Sequence, residues 1–185
     1  MKRNSEQILT EWLVISCQMG DVVAIQKLLK IWYPKLLRYA FRQIGDRQKS
    51  EDAVQNTLEI MSLKLGKLTD CAAFPKWIYK ILHHKCVDII RQNQRQNNIE
   101  NSYQEFVESE NESLLHSKNE DSVCFDEMVK HLPNEIYQLV HLYYLEDLSV
   151  AEIHHILDIP IGTVKSRLYQ ARNLIRTNLT GDGNE

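Results

Sequence analysis

Leu148-Ser149-Val150-Ala151-Glu152-Ile153, then Asp158-Ile159-Pro160, then Ile161-Gly162-Thr163-Val164-Lys165-Ser166-Arg167-Leu168-Tyr169-Gln170-Ala171-Arg172 decide how this chain of 185 residues is read. Ser149 and Glu152 stand at capping-box spacing: the serine oxygen accepts from the amide three residues on, and the glutamate reaches back. Leu148 and Ile153 flank them as a hydrophobic staple, so a helix starts firmly here. It is expected to end near Leu157, with Asp158-Ile159-Pro160 as the turn. A second helix follows from about Ile161 and buries Val164, Leu168, Ala171 and Ile175 at helical spacing. Two short helices joined by a tight turn, the second basic on its outer face, describe a helix-turn-helix.

A major groove about 12 Å wide admits one helix, whose first turns reach the base edges. With Val164, Leu168 and Ala171 inward, the outward residues of the second helix are Thr163, Lys165, Ser166, Arg167, Tyr169 and Gln170. Lys and Arg match guanine O6 and N7, and Gln matches adenine N6 and N7. Thr163 and Ser166 suit phosphate oxygens, as do the amides at the helix start. Arg172 and Arg176, further along, suit phosphates. Ile161–Leu179 contains four basic residues and no acid, although residues 125–185 as a whole carry a net charge of −4. A basic stripe confined to one element of an acidic domain points to a polyanion.

Upstream of this motif, Glu135–Leu145 carries the stripe Ile136, Leu139, Val140 and Tyr143, and Pro133 separates it from a short helix before it. Residues 96–124 hold seven acids against Lys118 and are rich in Asn, Glu, Ser and Gln, so they are expected to form an acidic flexible linker. Residues 1–95 carry +7 and form a second helical domain. There Ile25, Leu28, Leu29, Trp32, Leu36 and Tyr39 follow the period of an amphipathic helix, with a kink or break expected after Trp32-Tyr33 because Pro34 follows. Ser50-Glu51-Asp52 is expected to open the next helix, with Val54, Leu58, Met61 and Leu65 inward. After a loop, Gly66–Ala73, a third helix starts near Phe74-Pro75 and turns Phe74, Ile78, Ile81, Leu82, Cys86 and Ile89 inward. Ile8–Met19 supplies one more helix.

The expected fold is therefore all-α, with a three- or four-helix bundle at 1–95, a linker at 96–124 and a helix-turn-helix domain at 125–185. Only 6 glycines and 4 prolines occur, too few for the closely spaced turns of an all-β fold. No apolar run approaches the roughly 18 residues needed to cross a bilayer, and Thr10 and Glu11 interrupt the stretch after Met1-Lys2-Arg3, so no secretion signal is expected. Cys17, Cys71, Cys86 and Cys124 lie far apart without a Cys-x-x-Cys pair, and the adjacent histidines His83-His84 and His154-His155 point about 100° apart on a helix. No metal site, cofactor, disulfide or catalytic residue is expected. No strand-turn-helix elbow is present to place a hydrolase nucleophile.

The Leu148–Arg172 segment, with Leu132-Pro133 before it, resembles the C-terminal DNA-binding domain of extracytoplasmic-function (ECF) sigma factors of bacterial RNA polymerase. The N-terminal half agrees independently. Gly20-Asp21 is similar to the family's first conserved stretch, and Glu51-Asp52-Ala53-Val54-Gln55-Asn56-Thr57 to its polymerase-binding helix. Phe74-Pro75-Lys76-Trp77-Ile78-Tyr79-Lys80-Ile81, with Asp88-Ile89-Ile90-Arg91, is similar to its promoter-melting helix. The likeness covers about residues 18–95 and 125–178. The chain departs from the pattern at Asn56, where an acid is usual, and at His84, where Asn is usual. It departs again at His154, in place of a small residue, and at Asp158, in place of the turn glycine.

The resemblance implies a non-enzymatic transcription initiation factor with no small-molecule substrate. Its partners would be core RNA polymerase, through the beta-prime clamp and the beta flap, together with promoter DNA and an anti-sigma factor. Asp52, Gln55, Asn56 and Glu59 would contact the clamp. The loop Leu68–Ala73, with Asp70, and the helix Phe74–Arg91 would capture the non-template strand of the −10 element. Trp77 and Tyr79 would stack on its bases, Trp77 being equally readable as core, and Lys76, Lys80, Lys85, Arg91 and Arg95 would neutralise its backbone. The last helix would read the −35 element. A linker of about 28 residues relaxes to roughly 30 Å and stretches to about 95 Å. Elements some 17 base pairs apart lie about 58 Å apart, so the linker would span them when extended. A bacterial cytoplasmic location follows, with possible retention at the inner membrane by the anti-sigma factor. The rival, a stand-alone helix-turn-helix regulator, leaves the Glu51–Thr57 and Phe74–Arg91 patterns without a task.

Overall fold

The structure, a computed structural model, describes residues 5–100, 128–129 and 131–181. It divides into two compact units, Met1–Ser109 and Glu110–Glu185. Among the described residues there is no strand.

The first unit holds α1 (Ser5–Gln18), α2 (Val22–Ile44), α3 (Arg47–Lys64) and α4 (Phe74–Glu100), with two 3-10 turns, Leu65–Lys67 and Cys71–Ala73, between α3 and α4. Asp21 caps α2 by accepting from the amides of Val23 and Ala24 at 2.8 and 3.2 Å. Gly45, at φ 74°, ends α2 in the left-handed region and donates its N–H to Phe41. Leu13 and Val14 of α1, Leu28, Trp32, Leu36 and Tyr39 of α2, Ala53 and Val54 of α3, and Phe74, Ile78, Tyr79, Leu82 and Cys86 of α4 form the core. At its centre Trp32 meets Phe74 edge-on at 5.1 Å and Tyr79 at 6.0 Å, and Tyr39 meets Tyr79 at 5.2 Å. Edge-to-face rings of this kind add about 0.5–1.5 kcal/mol per pair beyond their buried area.

Three expectations change here. α2 runs unbroken through Pro34, because its packed rows on both sides of the proline outweigh one missing hydrogen bond. α3 opens at Arg47, one turn before Ser50, since Asp46 caps it by accepting from the Lys49 amide at 2.9 Å. Ser50 is buried inside the helix and donates its hydroxyl to the Asp46 carbonyl. α4 continues to Glu100, past the expected linker start at 96. The rest of that linker, 101–124, lies outside the described residues.

The second unit holds α5 (Asn134–Val140), a π turn (His141–Leu145), α6 (Val150–Leu157) and α7 (Ile161–Gly181). Val129, Leu132, Ile136, Tyr137, Val140 and Ala171 form one cluster, flanked by Leu174 and Ile175. The helix expected over Glu135–Leu145 thus widens at His141, whose carbonyl accepts from the Glu146 amide at 3.2 Å. His141 is buried, with the Tyr137 hydroxyl 3.3 Å from its Nδ1. The capping box is complete: the Ser149 amide donates to the Glu152 carboxylate at 2.9 Å, and the Glu152 amide to Ser149 Oγ at 3.3 Å. Leu148 and Ile153 are buried beside it.

Asp158 makes the turn at φ 52°, ψ 39°, a conformation that Asp tolerates better than most residues. His154 lies across the turn and donates Nδ1–H to the Ile159 carbonyl at 2.6 Å. The residue that replaces a small one therefore ties the turn rather than loosening it. Ser149→Ala should remove about 1 kcal/mol from the stability of this unit. A urea melt of the full chain should register this as a lower midpoint for one transition; an unchanged midpoint would deny the box its role.

Candidate nucleic-acid interface and docking faces

Val164, Leu168 and Ala171 are buried under α7, which leaves Lys165, Ser166, Tyr169, Gln170, Arg172 and Arg176 exposed and Thr163 and Arg167 half-buried. All eight residues expected to face DNA therefore keep accessible surface on one element. Ser166 and Arg167 are engaged within the unit. Ser166 donates its hydroxyl to the Thr163 carbonyl at 3.1 Å. Arg167 Nη2 pairs with the Glu135 carboxylate, from the first turn of α5, at 2.5 Å. This acid was not foreseen, because α5 and α7 are more than 20 residues apart in sequence and only packing joins them.

On α4, Lys76, Trp77, Lys80 and Lys85 are half-buried and Arg91 and Arg95 are exposed. The Trp77 ring leans on Phe74 at 6.0 Å and keeps part of its surface open. Tyr79 is a correction: it is fully buried between Trp32 and Tyr39 and has no face for a nucleotide base. α2 covers a wide strip of α4, so Ile78 and Tyr79 both turn inward. The single apolar row read from the sequence is too narrow for that strip.

Asp52, Gln55, Asn56 and Glu59 are all exposed on α3, at spacings that put them on one face. The Asn56 amide donates to the Asp52 carbonyl at 2.9 Å. Beside them runs a groove of about 470 Å³ between α2 and α3, walled by Ile25, Leu29, Tyr33, Leu58 and Met61 and edged by Glu51 and Glu59. Ile25, expected inward, faces this groove and is 36% exposed.

Asp70 is exposed, and its carboxylate accepts from the Ala72 amide at 3.0 Å, capping the turn Cys71–Ala73. Gln18 of α1 reaches the same segment. Its Nε2 donates to the carbonyls of Leu65 and Leu68, each at 2.8 Å, and its Oε1 accepts from the Cys71 thiol at 3.7 Å. The sequence reading passed over Gln18, since nothing local distinguishes it from any other surface glutamine.

Among the described residues no cluster of His, Cys, Asp and Glu could hold a metal ion, and no helix is long and apolar enough to cross a membrane. Burial pushes the Cys86 thiol up to about 12; Cys17 is raised as well, by burial first and then by the charge of Asp21. Both stay protonated at pH 8, so the attacking thiolate is scarce there. With Cys124 replaced by serine, iodoacetamide at pH 8 should label Cys71 well before Cys17 or Cys86. Peptide mapping checks this, and equal labelling of Cys86 would contradict the packing of α4.

Residues 28–96 match the family model described as Sigma-70 region 2, and residues 122–175 that described as Sigma-70, region 4. ECF RNA polymerase sigma factor SigW of Bacillus subtilis is 26% identical over 175 residues, which span 86% of this chain and 91% of that protein. The ECF RNA polymerase sigma-E factor of Haemophilus influenzae is 26% identical over 188 residues, spanning 95% and 97%. In fold, the chain is similar to the sigma factor RpoE of Bartonella quintana, solved in complex with the anti-sigma factor NepR. The TM-score is 0.67 at 23% identity, covering 88% of this chain and 100% of that one. It is also similar to CnrH, solved in complex with the cytosolic domain of CnrY, with a TM-score of 0.58 at 18% identity over 95% and 99%.

Proposed function

The chain belongs to the extracytoplasmic-function sigma factors of the sigma-70 family, and on that footing we propose how its faces divide the work. It is a transcription initiation factor that binds core RNA polymerase and directs it to promoter DNA. The observation that carries this is the pair of family matches, region 2 before region 4, one on each helical unit.

In our proposal the bundle at 1–95, with α4 extending to Glu100, is the region 2 domain, 96–124 is the linker and 125–185 is the region 4 domain. The α3 face of Asp52, Gln55, Asn56 and Glu59 docks on the beta-prime clamp. Its exposed acids and the apolar groove beside it suit a helix with an apolar edge and basic flanks. The segment Leu68–Ala73 captures an unstacked base of the −10 element. Unstacking costs a few kcal/mol, which stacking on the open part of Trp77, worth roughly 1–3 kcal/mol, helps to offset. Lys76, Lys80, Lys85, Arg91 and Arg95 hold the single strand's phosphates, so binding should weaken by about 0.7 in log K per phosphate contact for each tenfold rise in salt. α7 reads the −35 element while its unit grips the beta flap.

The polymerase performs the chemistry, and the chain acts by positioning alone. Its working place is the cytoplasm. An anti-sigma protein that covers its promoter-facing surfaces is the expected antagonist, a proposal supported by the solved neighbour held by NepR. The alternative, a stand-alone regulator, would give the α3 face nothing to bind. Gel filtration with purified core polymerase tests the reading. A stoichiometric complex is expected; a chain that binds duplex DNA yet elutes apart from polymerase would overturn it.

A further inference from the structure

Gln18, the last residue of α1, commits its whole side-chain amide to the segment between α3 and α4. A primary amide has two N–H donors and one carbonyl acceptor. Here one N–H goes to the Leu65 carbonyl, the other to the Leu68 carbonyl, and the oxygen takes the Cys71 thiol. The two carbonyls decide which way the amide turns, because only its NH2 end can face two oxygens. The three contacts fall at every third residue, so they reach the turn Leu65–Lys67, the stretch after it and the turn Cys71–Ala73 in one step.

The backbone bonds of this segment are internal to it, apart from the Leu65 N–H, which donates to the Met61 carbonyl near the end of α3. Leu68 N–H donates to Leu65, Ala73 N–H to Asp70, and the Asp70 carboxylate accepts from Ala72. The internal bonds give the segment its shape, and the Leu65 bond to Met61 ties only its first residue to α3. Lys67, Thr69 and Asp70 are exposed and Leu68, Cys71 and Ala73 are half-buried, so the stretch is fully buried only at its two ends, Leu65 and Phe74. The side chain of Gln18 supplies the hydrogen-bonded tie between them.

We propose that Gln18 is a positioning residue for promoter-base capture by Leu68–Ala73, an inference that rests on the assignment of that segment to the −10 element. Gln18 touches no base. It sets where Thr69 and Asp70 stand before DNA arrives, so the segment need not be ordered at the moment of binding. Gln18→Glu keeps length and shape but removes both donors and turns a carboxylate onto two carbonyl oxygens. Gln18→Leu removes the donors without adding charge. Neither touches Leu13, Val14 and Cys17, through which α1 is buried in the core, so both variants should fold.

The test uses full-length variants with core polymerase and a template pool randomised across the −10 element. Hydrogen exchange of the amides of residues 66–73 is followed alongside. Loss of two hydrogen bonds should speed that exchange about tenfold or more, and lower discrimination at the captured base by about tenfold. Core affinity and −35 preference should stay within about twofold, because they depend on α3 and α7. Faster exchange with intact base discrimination would reduce Gln18 to a structural strut and overturn the proposal, and unchanged exchange would overturn it outright. A wild-type holoenzyme with no −10 preference would instead sink the assignment of the segment, and the proposal with it.

Discussion

Holoenzyme carrying Lys165→Ala and Arg167→Ala is expected to lose about 30-fold or more of its preference for the −35 element, since each good side-chain contact to a base edge is worth roughly 1–3 kcal/mol of discrimination. The loss should not come from unfolding. Lys165 is exposed, and the residues that hold α7 in place are Val164, Leu168 and Ala171 beneath it. Arg167→Ala also frees Glu135, but that carboxylate is 71% exposed and water solvates it, so the pair adds little to stability. Run-off transcription from a template pool randomised over the upstream element measures the preference base by base. A profile unchanged by both substitutions would move the reading surface off the start of α7.

The second large effect concerns the partner rather than DNA. Asp52→Lys with Glu59→Lys should weaken binding to core polymerase by about 100-fold, because opposing a charge across an interface costs several kcal/mol. Both acids are exposed on α3 and stand clear of Ala53, Val54 and Met61, which are buried in the bundle. Titrating a fluorescently labelled chain with core enzyme gives the affinity, and duplex binding by the isolated holoenzyme-free chain should remain as in the wild type. Wild-type affinity for core in the double variant would mean that the clamp docks on another face.

The two large effects draw on the parts of the molecule that were plainest in sequence. The capping box at Ser149, the turn at Asp158 and the buried row Val164, Leu168 and Ala171 are local patterns, and local patterns survive folding. What escaped was set by packing over long sequence distances. Tyr79 looks like any aromatic near a basic stretch until Trp32 and Tyr39, some 40 residues earlier, enclose it. Ile25 and Leu29 share a helical period with Leu28 and Trp32, but α2 is packed on more than one side and leaves these two to wall a groove. The periodic helix α1 likewise turns Ile8, Trp12 and Ile15 outward, each over 40% exposed. Periodicity finds the helix, and only the neighbours say which face is covered. Asp46 and Pro34 failed for a related reason: a cap one turn upstream and a well-packed helix each override a local signal.

The assignment as a whole depends on one joint property, that the two helical units select a promoter together with core polymerase. Purified core enzyme should be offered a pool of genomic promoters with and without the chain, and the run-off products sequenced. Defined start sites that share spaced upstream and downstream elements, present only when the chain is added, are the expected result. Transcripts indistinguishable between the two reactions, from a chain that nevertheless binds duplex DNA, would contradict it.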